Sequence, residues 1–137
     1  MSATTRPRPR SLPSTTTKLN TELGNLYVTV SVDGDGEPFE VFGFLGKGGS
    51  FQHGVTELAC RLISLHLRRG TPVEEIIDQC EGIAEMQPYY NTLPDGTSVP
   101  VLGLGDGIAH ILKAHLKERE RLRETEVKRE SSMKAAA

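Results

Sequence analysis

Leu26-Tyr27-Val28-Thr29-Val30-Ser31-Val32 decides the fold class of this 137-residue chain. Strict alternation sends Leu26, Val28, Val30 and Val32 to one side and Tyr27, Thr29 and Ser31 to the other, the period of a strand buried on one face. Towards the N-terminus, Thr16 to Leu23 reads as a second strand, with Gly24-Asn25 as the reversal. Towards the C-terminus, Asp33-Gly34-Asp35-Gly36 breaks the alternation and Phe39 to Leu45 resumes it, so this pair also reads as a hairpin. Asp33, Asp35 and Glu37 have the first spacings of a calcium loop. Pro38 and Phe44 stand where that loop needs Gly and Glu, so the stretch is read as a plain turn.

Helices follow the strands. After Gly46-Lys47-Gly48-Gly49-Ser50, the residues Val55, Leu58, Ala59, Leu62 and Leu65 recur at helical steps, the apolar face by which a helix packs, and Gly70 stops it. Thr71-Pro72-Val73-Glu74 has the form of a helix start with Thr71 as cap, and Val73, Ile76, Ile77 and Cys80 make the next stripe. Proline-rich residues 87–104 suit a short hairpin around Pro94-Asp95-Gly96. Asp106 then caps a last helix carried by Ile108, Ile111, Leu112, His115 and Leu116. The expected fold class is α+β, a small antiparallel sheet from the N-terminal half packed against two to three helices. The expected organisation is a disordered basic arm over 1–14, the α+β domain over 15–117, and a charged helical extension with a disordered tail over 118–137.

Charge is unevenly spread. Residues 1–18 hold four basic side chains and no acid; residues 19–112 hold 4 basic against 13 acidic; residues 113–137 hold 8 basic against 5 acidic. An acidic middle disfavours nucleic acid as a principal partner, because that affinity needs clustered Lys and Arg. No run approaches the roughly 18 apolar residues of a membrane span, and Met1 to Arg10 lacks the apolar block of a signal peptide. No membrane partner is expected, and the expected location is the cytoplasm. Cys60 and Cys80 form no CxxC and read as buried, inert thiols.

Two stretches suit ligand binding. Lys47, Gly48, Gly49 and Ser50 precede a helix, where backbone N–H groups and a lysine can cradle an anion; the competing reading is a turn that needs positive φ. Tyr89, Tyr90 and Asn91 offer stacking rings and an amide for a base edge; the competing reading is one ring in the core and one on the surface. His110 and His115 are five apart, off the spacing of a helical metal pair, so no metal site is expected. No catalytic motif is present among the recognised patterns, so no catalytic residue is assigned and the chain is read as a non-enzyme.

The ordered blocks Arg8-Pro9-Arg10, Thr17-Lys18-Leu19, Gly24 to Val30, Gly36 to Phe42, Leu45 to Ser50, Arg61 to Leu65, Gly70 to Ile76 and Gly82-Ile83 resemble the TSCPD domain. That domain is the C-terminal region of cobalamin-dependent (class II) ribonucleotide reductases, and the resemblance spans residues 8–116. Its Thr-Ser-Cys-Pro-Asp motif aligns near Leu102 to Ala109, where only Asp106 matches and the Cys is absent. The reductase barrel is not in these residues, so the resemblance implies no reductase activity and no cofactor. A stand-alone module of this kind is read as binding a nucleotide-like small molecule, with Lys47, Gly48, Gly49, Ser50, Tyr89, Tyr90, Asn91 and Asp106 as the candidate ligand residues. A sheet this short leaves an edge or an apolar face to cover, so a homo-oligomer is expected. Phage sponges that sequester nucleotide-derived immune signals are an architectural analogy. The alternative is an accessory subunit that docks on a ribonucleotide reductase. On the first reading, Lys47→Ala weakens nucleotide binding by about 1.5–3 kcal/mol, measurable by titration calorimetry.

Overall fold

Antiparallel pairing of β1 (Ser14–Thr21), β2 (Gly24–Val32) and β3 (Pro38–Leu45) builds a sheet in the order β1-β2-β3. This computed structural model describes residues 4–46 and 49–136. The register stacks Leu19, Leu26 and Leu45 in one row and Thr17, Val28 and Gly43 in the next, with Val30 beside Val41, all on the core face. Lys18, Tyr27 and Phe44, then Thr16, Thr29 and Phe42, line up on the other face. The alternation in β2 thus sets which side of the sheet is buried from Leu26 to Val30, as the sequence predicts; at the register shift between Ser31 and Val32 it breaks, leaving Ser31 buried and Val32 half-buried.

α1 (Ser50–Arg68) lies across β3, and Gly43 fixes where. A Cβ at Gly43 would stand 3.0 Å from both Cys60 Sγ and Thr56 Cγ2, so the helix is seated in the space that the missing side chain leaves. Its buried face is therefore Thr56, Cys60, Ile63 and Leu67. This corrects the packing face expected for α1: Val55, Leu58, Leu62 and Leu65 are exposed. The physical reason is size, since Thr and Cys fit over glycine and a row of leucines does not. Ser64 completes the contact: its Oγ accepts from the Val41 N–H (2.9 Å) and donates to the Val41 carbonyl (3.0 Å).

α2 (Val73–Cys80) packs on α3 (Leu104–Ala136), bringing Val73, Ile76 and Ile77 against Ile108, Ile111 and Leu112 in one core. Gly107 lets α3 approach the sheet, since a Cβ there would meet Leu19 Cδ1 at 3.1 Å. The Thr71 cap expected for α2 does not form; Thr71 Oγ1 pairs with His66 Nδ1 at 3.0 Å instead. β4 (Tyr89–Thr92) and β5 (Ser98–Val101) make the expected hairpin.

Residues 4–13 lie outside helix and strand, and Arg6 caps the C-terminus of α1, its guanidinium donating to the carbonyls of Leu67 (3.0 Å) and Arg68 (3.2 Å). It also lies over the Phe39 ring at 4.9 Å and pairs with Asp33 at 3.1 Å. Charge at the negative end of a helix dipole and three acceptors at one guanidinium give this stretch a reason to stay put. α3 continues to Ala136, and Arg119 and Arg123 both pair with Glu37 in the β2–β3 turn.

Burial alone would raise the Asp33 carboxyl, but the N–H groups of Glu37 and Asp35 and the Arg6 guanidinium together hold it below its ordinary value. A folded-state value below the unfolded one contributes stability above the usual aspartate range, near about 4, and loses it as pH falls through the lowered value. Urea midpoints should therefore fall more steeply on acidification for the native chain than for Asp33→Asn, which keeps the turn's acceptor oxygen and cannot titrate.

Candidate functional site

The residues singled out by sequence do not converge. Lys47 and Gly48 lie outside the described residues. Gly49 is the N-cap of α1 at φ −83°, its N–H donating to Gln52 Oε1 at 2.9 Å, and Ser50 is the exposed first residue of the helix. Neither Gly46 nor Gly49 takes positive φ, so among the described residues this turn does not use that freedom. Gly46 instead donates its N–H to the Asn25 carbonyl at 2.7 Å, adding one more rung beside β2.

Asn91 is buried, and its amide is fully engaged. Oδ1 accepts from the Asn20 N–H (2.7 Å) and Nδ2 donates to the Asn20 carbonyl (2.9 Å), so one side chain stitches the β4–β5 hairpin to β1. Tyr89 and Tyr90 flank it on the surface, Tyr90 being 74% exposed; neither ring plugs the core. Asn91, Asn20, Asn25 and Gly46 stand in succession across one end of the sheet. Three strand spacings, roughly 15 Å, thus separate the tyrosine hairpin from the glycine turn.

Asp106 is also spoken for. Its carboxylate accepts from the Gly82 N–H (2.9 Å) and the Leu102 N–H (3.0 Å), and His110 Nε2 lies 3.3 Å away. The helix begins two residues before it, so Asp106 caps by reaching back from the first turn and joins the end of α2 to the start of α3. Asn91 and Asp106, both candidate ligand residues in the sequence, thus each spend their polar atoms on the backbone. Sequence reading missed this because the partners lie up to 71 positions away.

A groove of about 730 Å³ opens between β3 and α1, lined by Phe42, Gly43 and Phe44 on the strand and His53, Arg61 and Arg68 on the helix. Phe42 and Phe44 stand on the sheet's outer face, 50% and 61% exposed, and the Phe44 and His53 rings lie 5.7 Å apart. Backbone groups of a strand alternate in direction, so Gly43 turns its N–H and C=O the same way as Val41, towards α1. Ser64 occupies that pair at Val41; at Gly43 the pair faces the groove. Arg8, at the groove's far end, is held by Glu40 at 2.9 Å, and Arg68 donates to the Arg6 carbonyl at 3.0 Å. Arg61 is exposed and reaches Glu57 at 3.6 Å. The sequence carried one signal for this groove: Phe39 to Leu45 is apolar on both faces, more than a strand buried on one side requires.

Burial, then the nearby Cys80, pushes the Cys60 thiol up to about 11, and burial raises Cys80 as well, so both are neutral thiols at neutral pH. Among the described residues there is no cluster of three metal-ligating side chains, and no helix is long and apolar enough to cross a membrane.

Compared with known proteins, the chain matches the family model of the TSCPD domain over residues 3–116. No curated protein and no solved structure matches it.

The structural role of the buried polar groups is open to measurement. Asp106→Ala removes the acceptors of two partly buried hydrogen bonds and should cost about 1–3 kcal/mol in urea denaturation. Tyr90→Ala, which removes only an exposed ring, should leave stability within about 0.5 kcal/mol of the native chain.

Proposed function

The chain belongs to the TSCPD domain family, and from that premise we propose that it is a binding module without catalysis that takes a nucleotide in the β3–α1 groove. The observation that carries this reading is the side-by-side N–H and C=O of Gly43 at the bottom of a groove rimmed by aromatic rings. An extended residue presents one donor and one acceptor in the same direction, the complement of a base edge. Phe44 supplies a π-face for the base, and stacking of this kind is tolerant of base identity. Arg61 lies eight residues along α1 from His53, about 12 Å at the helical rise, within the span of a nucleoside diphosphate. A guanidinium at that distance suits the phosphates better than an ammonium would, because it donates in a fork.

The glycine turn of the sequence reading enters only through its position: Gly49 and Ser50 begin the helix whose next turn brings His53 into the groove. Neutral thiols at buried Cys60 and half-buried Cys80 support binding without turnover, since a thiolate is the nucleophilic form. A module that holds such a ligand unchanged removes it from solution, the behaviour of a sponge or sensor for a nucleotide-derived signal.

Exposed Phe42, Phe44, Phe51, Leu58 and Leu62 favour a second reading, an accessory subunit that docks on a class II ribonucleotide reductase through protein contacts. The two are separated by one set of measurements. Native mass spectrometry with mono-, di- and cyclic nucleotides and ADP-ribose derivatives should show a stoichiometric adduct. Phe44→Ala should weaken that adduct at least about tenfold, the scale of one lost stacking contact, with the melting curve unchanged. Indifference to the whole panel would overturn the nucleotide reading; capture of purified reductase by the nucleotide-free chain would then support docking.

A further inference from the structure

We infer that α1 is a dimerisation helix: two copies of this chain pair antiparallel along Phe51, Val55, Leu58, Leu62 and Leu65. These five residues follow steps of four, three, four and three, the seam spacing of a coiled coil. On the helical wheel they lie opposite Thr56, Cys60, Ile63 and Leu67, which the sheet already covers. α1 therefore has two packing faces, and the more apolar one is bare. Phe51 is 79% exposed, Leu58 59% and Leu62 52%. With Phe42 and Phe44 alongside, the patch is on the order of several hundred Å², at the upper end of what soluble monomers leave exposed.

The occupant follows from symmetry and charge. Phe51 and Leu65 stand seven residues either side of Leu58, and Val55 and Leu62 three before and four after. A two-fold axis through Leu58 sets it on the partner's Leu58, Phe51 on the partner's Leu65, and Val55 on the partner's Leu62, large against medium and small against medium. Such an interface is isologous and closes at two copies. One flank of the seam carries Glu57 and Arg61, ion-paired to each other at 3.6 Å within the helix. The two-fold axis sets the two Glu57 carboxylates near each other and brings each Arg61 beside the partner's Glu57, so two guanidiniums screen two carboxylates on this flank. Gly54 lies on the same flank one turn before Glu57, and open space around it leaves room for the partner's guanidinium. The other flank carries Gln52 and Ala59 and places no like charges together. A foreign helix has no reason to match a pattern that reads nearly the same in both directions.

α1 is about 28 Å long, so the interface is at the small end of stable dimers, and micromolar dissociation is expected. Sedimentation velocity of the full chain should show a monomer–dimer equilibrium in that range. Leu58→Glu sets two carboxylates against each other on the axis and should give monomers with an unchanged melting curve. Leu58→Cys should form a covalent dimer on mild oxidation, which the native chain, with Cys60 buried, should not. Glu57→Arg and Arg61→Glu should each weaken association about tenfold, and the double exchange should restore it. A native chain that stays monomeric to about 100 μM, a dimer indifferent to Leu58→Glu, or a double exchange that fails to restore association overturns the proposal. Both readings use Arg61, but none of these readouts depends on nucleotide, so the failure of one is distinguishable from the failure of the other.

Discussion

Gly43 is the contact on which the arrangement of sheet and helix depends. Because β3 has no side chain there, α1 can settle with Thr56 and Cys60 directly over the strand. That seat fixes the rotation of the helix about its own axis. It brings Ser64 to the backbone of Val41, points His53, Arg61 and Arg68 into the groove, and leaves the leucine stripe facing away. Any larger residue at Gly43 has to push the helix off the sheet or rotate it, and each of these consequences would change together. A single missing Cβ is thus a choice between two amphipathic faces.

The helix illustrates what periodicity reads and what it leaves out. In β2, alternation names the buried face outright, because a strand in a sheet has only two faces and one is far more apolar. In α1 the most apolar stripe is legible, but a stripe states only that something apolar covers it, not that the chain's own core does. Thr56 is polar and Cys60 is small, so neither marks a conspicuous stripe, yet their small size is what the glycine seat selects. The groove was legible only as surplus apolar residues in β3, for a related reason: it belongs to no single element and exists only once that strand meets a helix from later in the chain.

Polar residues were legible as noteworthy and misread in role. Asn91 follows two exposed tyrosines in a proline-bounded stretch, a setting that suits a ligand, and the structure spends its amide on Asn20. Asp106 is the one letter of the family's naming motif in this chain, and its carboxylate ties two backbone segments to the start of α3. Buried polar groups of this kind fix how pieces meet more than how tightly they hold, because a shifted hairpin or helix would leave them unpaired. A module can therefore carry this motif's aspartate for architecture while its cysteine is absent.

One side chain at each margin of the sheet has a consequence for the molecule in a crowded solution. Along β1, Asn91 takes both outward-facing groups of Asn20; along β3, Ser64 takes both outward-facing groups of Val41. Each behaves as a strand one residue long. A foreign β-strand arriving at either margin finds the template interrupted, and cannot zip along it without first displacing a satisfied hydrogen-bond pair. Only three strands wide and rich in threonine at one margin, the sheet is the kind that seeds runaway stacking when left open. The two plugs let it stay small without becoming a nucleus for amyloid-like growth.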